Sequence, residues 1–187
     1  MPPVNTDTAF AIDNSSIHFG PGVTREVGFE MRRLGAKRVM VVTDPRLKDS
    51  RTVGITMAPL AAEGVDAVLF DRVEVEPTDV SFKDAIGFAI EGEFDGYVGV
   101  GGGSAIDTCK AANLYATFPA DFLDYVNAPI GKGKLAPGPL KPMIAIPTTA
   151  GTGSETTGGA IFDLLEIKAK TGISDRAIRP TIGLVDP

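Results

Sequence analysis

One cysteine, one histidine and no tryptophan occur among 187 residues. The single cysteine, Cys109, excludes an internal disulfide and a cysteine-rich zinc site. The single histidine leaves little room for histidine chemistry. A Ser-His-Asp triad or a histidine-rich metal site would have to use His18. His18 sits in the short strand-like stretch SIHFG and reads as a structural residue. Basic residues are also in deficit, with 18 Lys and Arg against 24 Asp and Glu, for a net charge of -6. That balance argues against nucleic acid and against an anionic membrane as partners, since both need clustered cations. No run of about 18 apolar residues occurs, so no membrane span is expected. The start, MPPVNTDTAFAI, has neither a basic leader nor a long apolar stretch, so no signal peptide is expected either. These absences predict a soluble protein in the reducing cytoplasm.

What is present is globular. Hydrophobic residues make up 43% and charged residues 22% of the chain. The length suits one domain, residues 1–187, with a substantial core. Five short apolar runs recur: 38–44, 67–71, 96–104, 143–149 and 181–187. They are nearly continuous in apolar residues, as expected of strands buried on both faces of a parallel sheet. Between them the spacing predicts helices over 22–34, 53–63, 79–91 and 104–116. Val23, Val27, Met31 and Leu34 share one face of the first, and Phe82, Ile86 and Ile90 one face of the third. Ala105, Cys109, Ala112 and Ala116 line the last, with Cys109 read as packing rather than as a nucleophile. Residues 128–142 read as a surface loop whose lysines are solvated. The alternation of strand and helix predicts an α/β fold, a Rossmann-like parallel sheet with flanking helices.

In such a sheet, ligands bind beyond the carboxyl ends of the strands. Asp44 follows the first run, Gly101-Gly102-Gly103-Ser104 the third, and Thr148 to Ser154 the fourth. Three strands thus aim polar or glycine-rich turns at one edge. The glycine turn leads into a helix, where backbone N–H groups favour an anion such as a phosphate. It matches the dinucleotide fingerprint only in part, because Ser104 stands at the third glycine position. A second reading is a tight turn with Ser104 as N-cap and Asp107 as its capping-box partner. Asp44 suits ribose hydroxyls and would repel the 2′-phosphate of NADP, or it is simply a turn residue before Pro45.

GGGSAIDTCKAANLY, IPTTAGTGSETT and GLVDP together resemble the iron-containing (group III) alcohol dehydrogenase family. VEVEPTDVSFKDAI and SETTGGAIFD point to its hydroxyacid-oxoacid transhydrogenase branch. The resemblance implies an N-terminal dinucleotide-binding domain and a C-terminal helical domain with the active site between them. It implies that Gly101, Gly102, Gly103 and Ser104 hold the NAD pyrophosphate and that Asp107 follows in the pocket. It places Asp44 at the adenosine ribose, Thr148, Thr149 and Thr152 along the cofactor, and Lys170 against it. The reaction implied is hydride transfer between nicotinamide and a small alcohol, hydroxy acid or keto acid.

The family's metal ligands, an aspartate and three histidines, belong to the helical domain, and this sequence has no histidine beyond His18. The expectation is therefore that no catalytic or metal-binding residue lies in these 187 residues. A divalent iron or zinc would come only with the helical domain, and the chain alone would be inactive. It would expose apolar surface and self-associate as a homo-oligomer. Two other readings stay open: a dinucleotide-binding module without catalysis, and half of a dehydroquinate synthase-like lyase.

Overall fold

The computed structural model describes residues 14–187, so the signal-peptide reading of MPPVNTDTAFAI lies outside the described residues. Eight strands are present among them: β1 (Ser16–Phe19), β2 (Arg38–Val42), β3 (Asp66–Phe70), β4 (Gly96–Gly101), β5 (Met143–Pro147), β6 (Gly159–Leu164), β7 (Ala169–Ser174) and β8 (Ile182–Val185). The helices are α1 (Val27–Arg33), α2 (Arg51–Ala62), α3 (Asp79–Gly92), α4 (Gly103–Thr117) and the short α5 (Phe122–Tyr125). Six strands form one sheet in the order β1-β8-β5-β4-β2-β3, and every pairing in it is parallel. The α/β expectation holds.

Strand alternation explains why both faces are covered. Val39 and Val41 of β2 pack with Val27, Met31, Val53 and Leu60 of α1 and α2. Met40 and Val42 point the other way, into a cluster with Ala85 and Ala89 of α3 and Ile106 and Cys109 of α4. Burying each such large side chain contributes roughly 1.5–3 kcal/mol. The apolar runs lack alternation because neither face of the central strands meets water.

The chain reverses direction across the sheet between β2 and β4. From β2 it moves outward to β3, then returns to place β4 on the other side of β2. The carboxyl ends of strands flanking such a switch leave a crevice. Asp44 and the glycine turn flank it.

Helix caps differ in a way that bears on function. Ser50 caps α2 by accepting from the Val53 N–H. Thr78 caps α3 in a reciprocal pair with Ser81. The cap of α4 is Gly102, which has no side chain to accept anything. Ser104 lies inside the helix, so the alternative reading, a Ser104–Asp107 capping box, does not hold.

Three local expectations need correction. Residues 22–34 start as a 3-10 turn over Val23–Glu26 before α1 begins. Ile90 is exposed rather than packed with Phe82 and Ile86. The lysines of the 128–142 loop are not simply solvated, because Lys132 and Lys134 both pair with Asp124, at 2.6 and 3.0 Å. Outside the main sheet, β6 and β7 form an antiparallel hairpin. It packs on α3 and α4 through Phe162, which meets the Phe82 ring. Among the described residues, no helix is long and apolar enough to cross a membrane.

Candidate functional site

The glycine turn is shaped by close approach. A Cβ on Gly99 would lie 3.2 Å from the Ile106 Cα, so glycine there lets α4 sit tightly on β4. Gly101 has φ +150°, in the region L side chains avoid, and a Cβ would meet the Ala105 Cβ at 2.7 Å. The chain thereby turns from strand to helix within two residues. With no side-chain cap, the leading N–H groups of α4 are not satisfied by a side chain.

The other polar turns close on this one. The Thr148 N–H donates to the Gly101 carbonyl at 3.0 Å, continuing the β4–β5 ladder past the sheet edge. A Cβ on Gly102 would be 3.4 Å from the Thr149 hydroxyl, and one on Gly103 would be 3.0 Å from the Thr152 methyl. Asp44 approaches from β2, its Oδ2 3.9 Å from the Gly101 Cβ position. Its Oδ1 accepts from the Arg46 N–H at 2.8 Å, so one oxygen faces the glycine turn and the other fixes the side chain.

A cleft of about 380 Å³ opens beside the turn. Gly103, Ser104, Asp107, Thr152 and Lys170 all line it. Thr148 instead opens on a second cleft of about 550 Å³, with Thr24, Arg25, Arg51 and Asp186. Asp44, Gly101, Gly102 and Thr149 line neither cleft and lie at the turn itself.

Asp107 is buried, and its two oxygens are engaged. Oδ1 accepts from Lys110 Nζ at 3.2 Å, and Oδ2 from the Ile161 N–H at 3.1 Å. Burial pushes its carboxyl above the usual range, against the pull of Lys110. Lys110 is fully buried and its ammonium is pushed down by the same desolvation. Its Nζ also donates to the Gly159 carbonyl at 2.7 Å. Lys110 was missed in the sequence: it stands off the alanine-rich face of α4, on the side that meets the β6–β7 hairpin. Cys109 is buried and its thiol is pushed up by desolvation, which keeps it protonated and inert.

The match to a known family is extensive. The model of the iron-containing alcohol dehydrogenases covers residues 14–187. The chain belongs to the iron-containing alcohol dehydrogenase family. It is 60% identical over 183 residues to the mitochondrial hydroxyacid-oxoacid transhydrogenase of Xenopus tropicalis, covering 97% of this chain and 40% of that protein. The Homo sapiens transhydrogenase is 57% identical, with 39% of its length covered. The chain thus spans about 40% of the length of these curated relatives. Among solved structures, 1,3-propanediol oxidoreductase superposes with TM-score 0.87 at 31% identity, over 96% of this chain and 46% of that one. Sulfoacetaldehyde reductase from Bifidobacterium kashiwanohense, solved with NAD+, gives 0.83 at 26%, again over 96% and 46%.

These relatives correct the expected address. The transhydrogenases at 57–60% identity are named mitochondrial, which points to mitochondria rather than the cytoplasm. A reducing interior and an acidic balance do not distinguish the two compartments.

The residues present fit a dinucleotide better than a metal. A helix N-terminus without a side-chain cap suits a phosphate. Among the described residues, one group offers three converging ligand atoms: His18, Glu26 and Glu30. None of them lines the cleft beside the glycine turn. Glu30 is already paired with Arg33 at 2.6 Å, and His18 with Glu26 at 2.8 Å.

Proposed function

We propose that these residues form the NAD-binding part of a metal-dependent dehydrogenase of the hydroxyacid-oxoacid transhydrogenase kind. The observation that carries the reading is the glycine cap of α4, ringed by Asp44, Thr149 and Thr152. The pyrophosphate takes the leading N–H groups of α4, with Gly101, Gly102 and Gly103 allowing its approach and Ser104 beside it. Asp44 takes the adenosine ribose through the oxygen that faces the turn. Thr148, Thr149 and Thr152 supply hydroxyls along the dinucleotide, and Asp107 and Lys170 line the cleft beyond. Nicotinamide, when bound, supplies a carbon that accepts or returns a hydride. The substrate class is an alcohol, a hydroxy acid or a keto acid, and the polarising divalent metal is held by residues outside this segment.

The Asp44 assignment is tested by titration calorimetry with NAD and NADP. A carboxylate at the ribose repels a 2′-phosphate, so the wild type should favour NAD. Asp44→Gly should narrow the ratio of the two affinities roughly tenfold, or about 1.4 kcal/mol. An unchanged ratio would leave Asp44 as a turn residue held by Arg46.

A further inference from the structure

An ion pair lies in the lining of the 380 Å³ cleft. Lys170 Nζ lies 2.7 Å from Glu76 Oε2 and 3.4 Å from Asp163 Oδ1. Both Glu76 and Lys170 line the cleft, together with Gly103, Ser104 and Asp107. Lys170 is thus the cation that the hairpin projects toward the candidate anion site, and it is already occupied.

Glu76 is an unusual residue for this duty. Its φ is +62°, the left-handed conformation that non-glycine residues adopt at a cost of about 1–2 kcal/mol. The backbone around it is pinned. The Asp163 N–H donates to the Pro77 carbonyl at 2.8 Å, and Thr78 forms a bridge to Asp163. Further on, the Leu165 N–H donates to Asp79 Oδ1 at 3.2 Å. These bonds hold the Glu76 turn against β6, opposite Lys170 on β7. The Glu76 side chain is 71% exposed and that of Lys170 57%, so either can swing free without moving the loop. Their mutual hydrogen bond holds the Glu76 carboxyl below its usual range and Lys170 above its own.

We propose that Glu76 is a side-chain latch that competes with the anionic cofactor for Lys170. Its carboxylate holds the lysine at 2.7 Å. An incoming dinucleotide must draw Lys170 away, so Glu76 lowers affinity and makes binding more selective for a ligand that also takes the α4 terminus. This inference rests on the proposed cofactor site. Exposed ion pairs are weak, so the latch yields readily.

Two measurements test it on the 187-residue chain. Glu76→Gln should bind NAD about two- to fivefold more tightly at low ionic strength, and the gain should fade in about 0.5 M salt as the pair is screened. In a Lys170→Met background, Glu76→Gln should no longer change the affinity. Separately, acetylation of Lys170 read by mass spectrometry, with no ligand present, should be faster in Glu76→Gln. Unchanged acetylation overturns the latch, whether or not NAD binds. Faster acetylation with unchanged NAD affinity overturns it too, because the pair would then guard nothing. If the wild type binds no NAD, the cofactor site fails and the guard fails with it. If it binds NAD but Glu76→Gln changes nothing, the latch alone is wrong.

Discussion

Gly102→Asp should weaken dinucleotide binding at least about tenfold while changing the stability of the fold little. The two halves of this expectation come from the same geometry. Gly102 has φ −73° and ψ −174°, an extended conformation open to any residue. A Cβ there meets the Thr149 side chain at 3.4 Å or more, which is ordinary contact. Aspartate is moreover a good N-cap, and exchanging glycine for it changes helix stability by only a few tenths of a kcal/mol. Yet its carboxylate would accept the N–H groups on which a pyrophosphate depends. It would also set a negative charge where two more must come. Like charges about 4 Å apart near a protein surface repel by several kcal/mol, so affinity should fall at least about tenfold. Gly102→Ser separates the two effects, since serine caps without charge and should weaken binding less. Calorimetric titration with NAD and a urea melt on each variant are the measurements. Equal affinity in wild type and Gly102→Asp would remove the glycine turn from the cofactor site.

The largest loss of stability should follow Lys110→Met. Methionine roughly matches the volume of the aliphatic stem but leaves Asp107 and the Gly159 carbonyl without their donor. Removing one partner of a buried pair destabilises by about 3–5 kcal/mol. Against a typical total of about 5–15 kcal/mol that is severe. The urea midpoint should drop accordingly. Adding Asp107→Asn should recover part of the loss, because a neutral amide tolerates burial and its carbonyl can still accept from Ile161. A double variant no more stable than Lys110→Met alone would mean that the pair contributes nothing beyond packing. The consequence reaches the cleft as well. Lys110 ties α4, which starts at the glycine turn, to the first residue of the hairpin that carries Lys170.

Much of this was legible in the residues. The five apolar runs became β2, β3, β4, β5 and β8, shifted by a few residues at most, because a strand buried on both faces leaves an unbroken signature. The convergence of Asp44, the glycine turn and the threonine loop followed from the carboxyl-end rule for parallel sheets. The β6–β7 hairpin was not seen. Ala160, Phe162 and Leu164 do alternate with more exposed residues, but β7 carries Lys170 and the small residues Ala169, Gly172 and Ser174 and looks like loop. The alternative of a Ser104–Asp107 capping box fails because α4 begins one residue before Ser104, with Gly102 as cap, a boundary that a sequence pattern does not reveal. Glu76 and Lys110 were missed for a shared reason. Glu76 acts through a partner 94 residues away, and Lys110, besides its near neighbour Asp107, through Gly159, 49 residues away. Local periodicity carries no trace of such pairings.

The pairing of β1 with β8 has a consequence for how the chain is made. Ser16 aligns with Ile182, and Asp186 accepts from the N–H groups of Gly22 and Thr24. The first described strand therefore has no neighbour until about 165 further residues have left the ribosome. At about 5–20 residues per second, β1 waits on the order of ten to thirty seconds. Over that interval Ile17 and Phe19 belong to a nascent chain whose central strands already have their neighbours, while this one stays open to chaperones and to other strands. Synthesis order, rather than final stability, makes the sheet edge at β1 the vulnerable point of assembly.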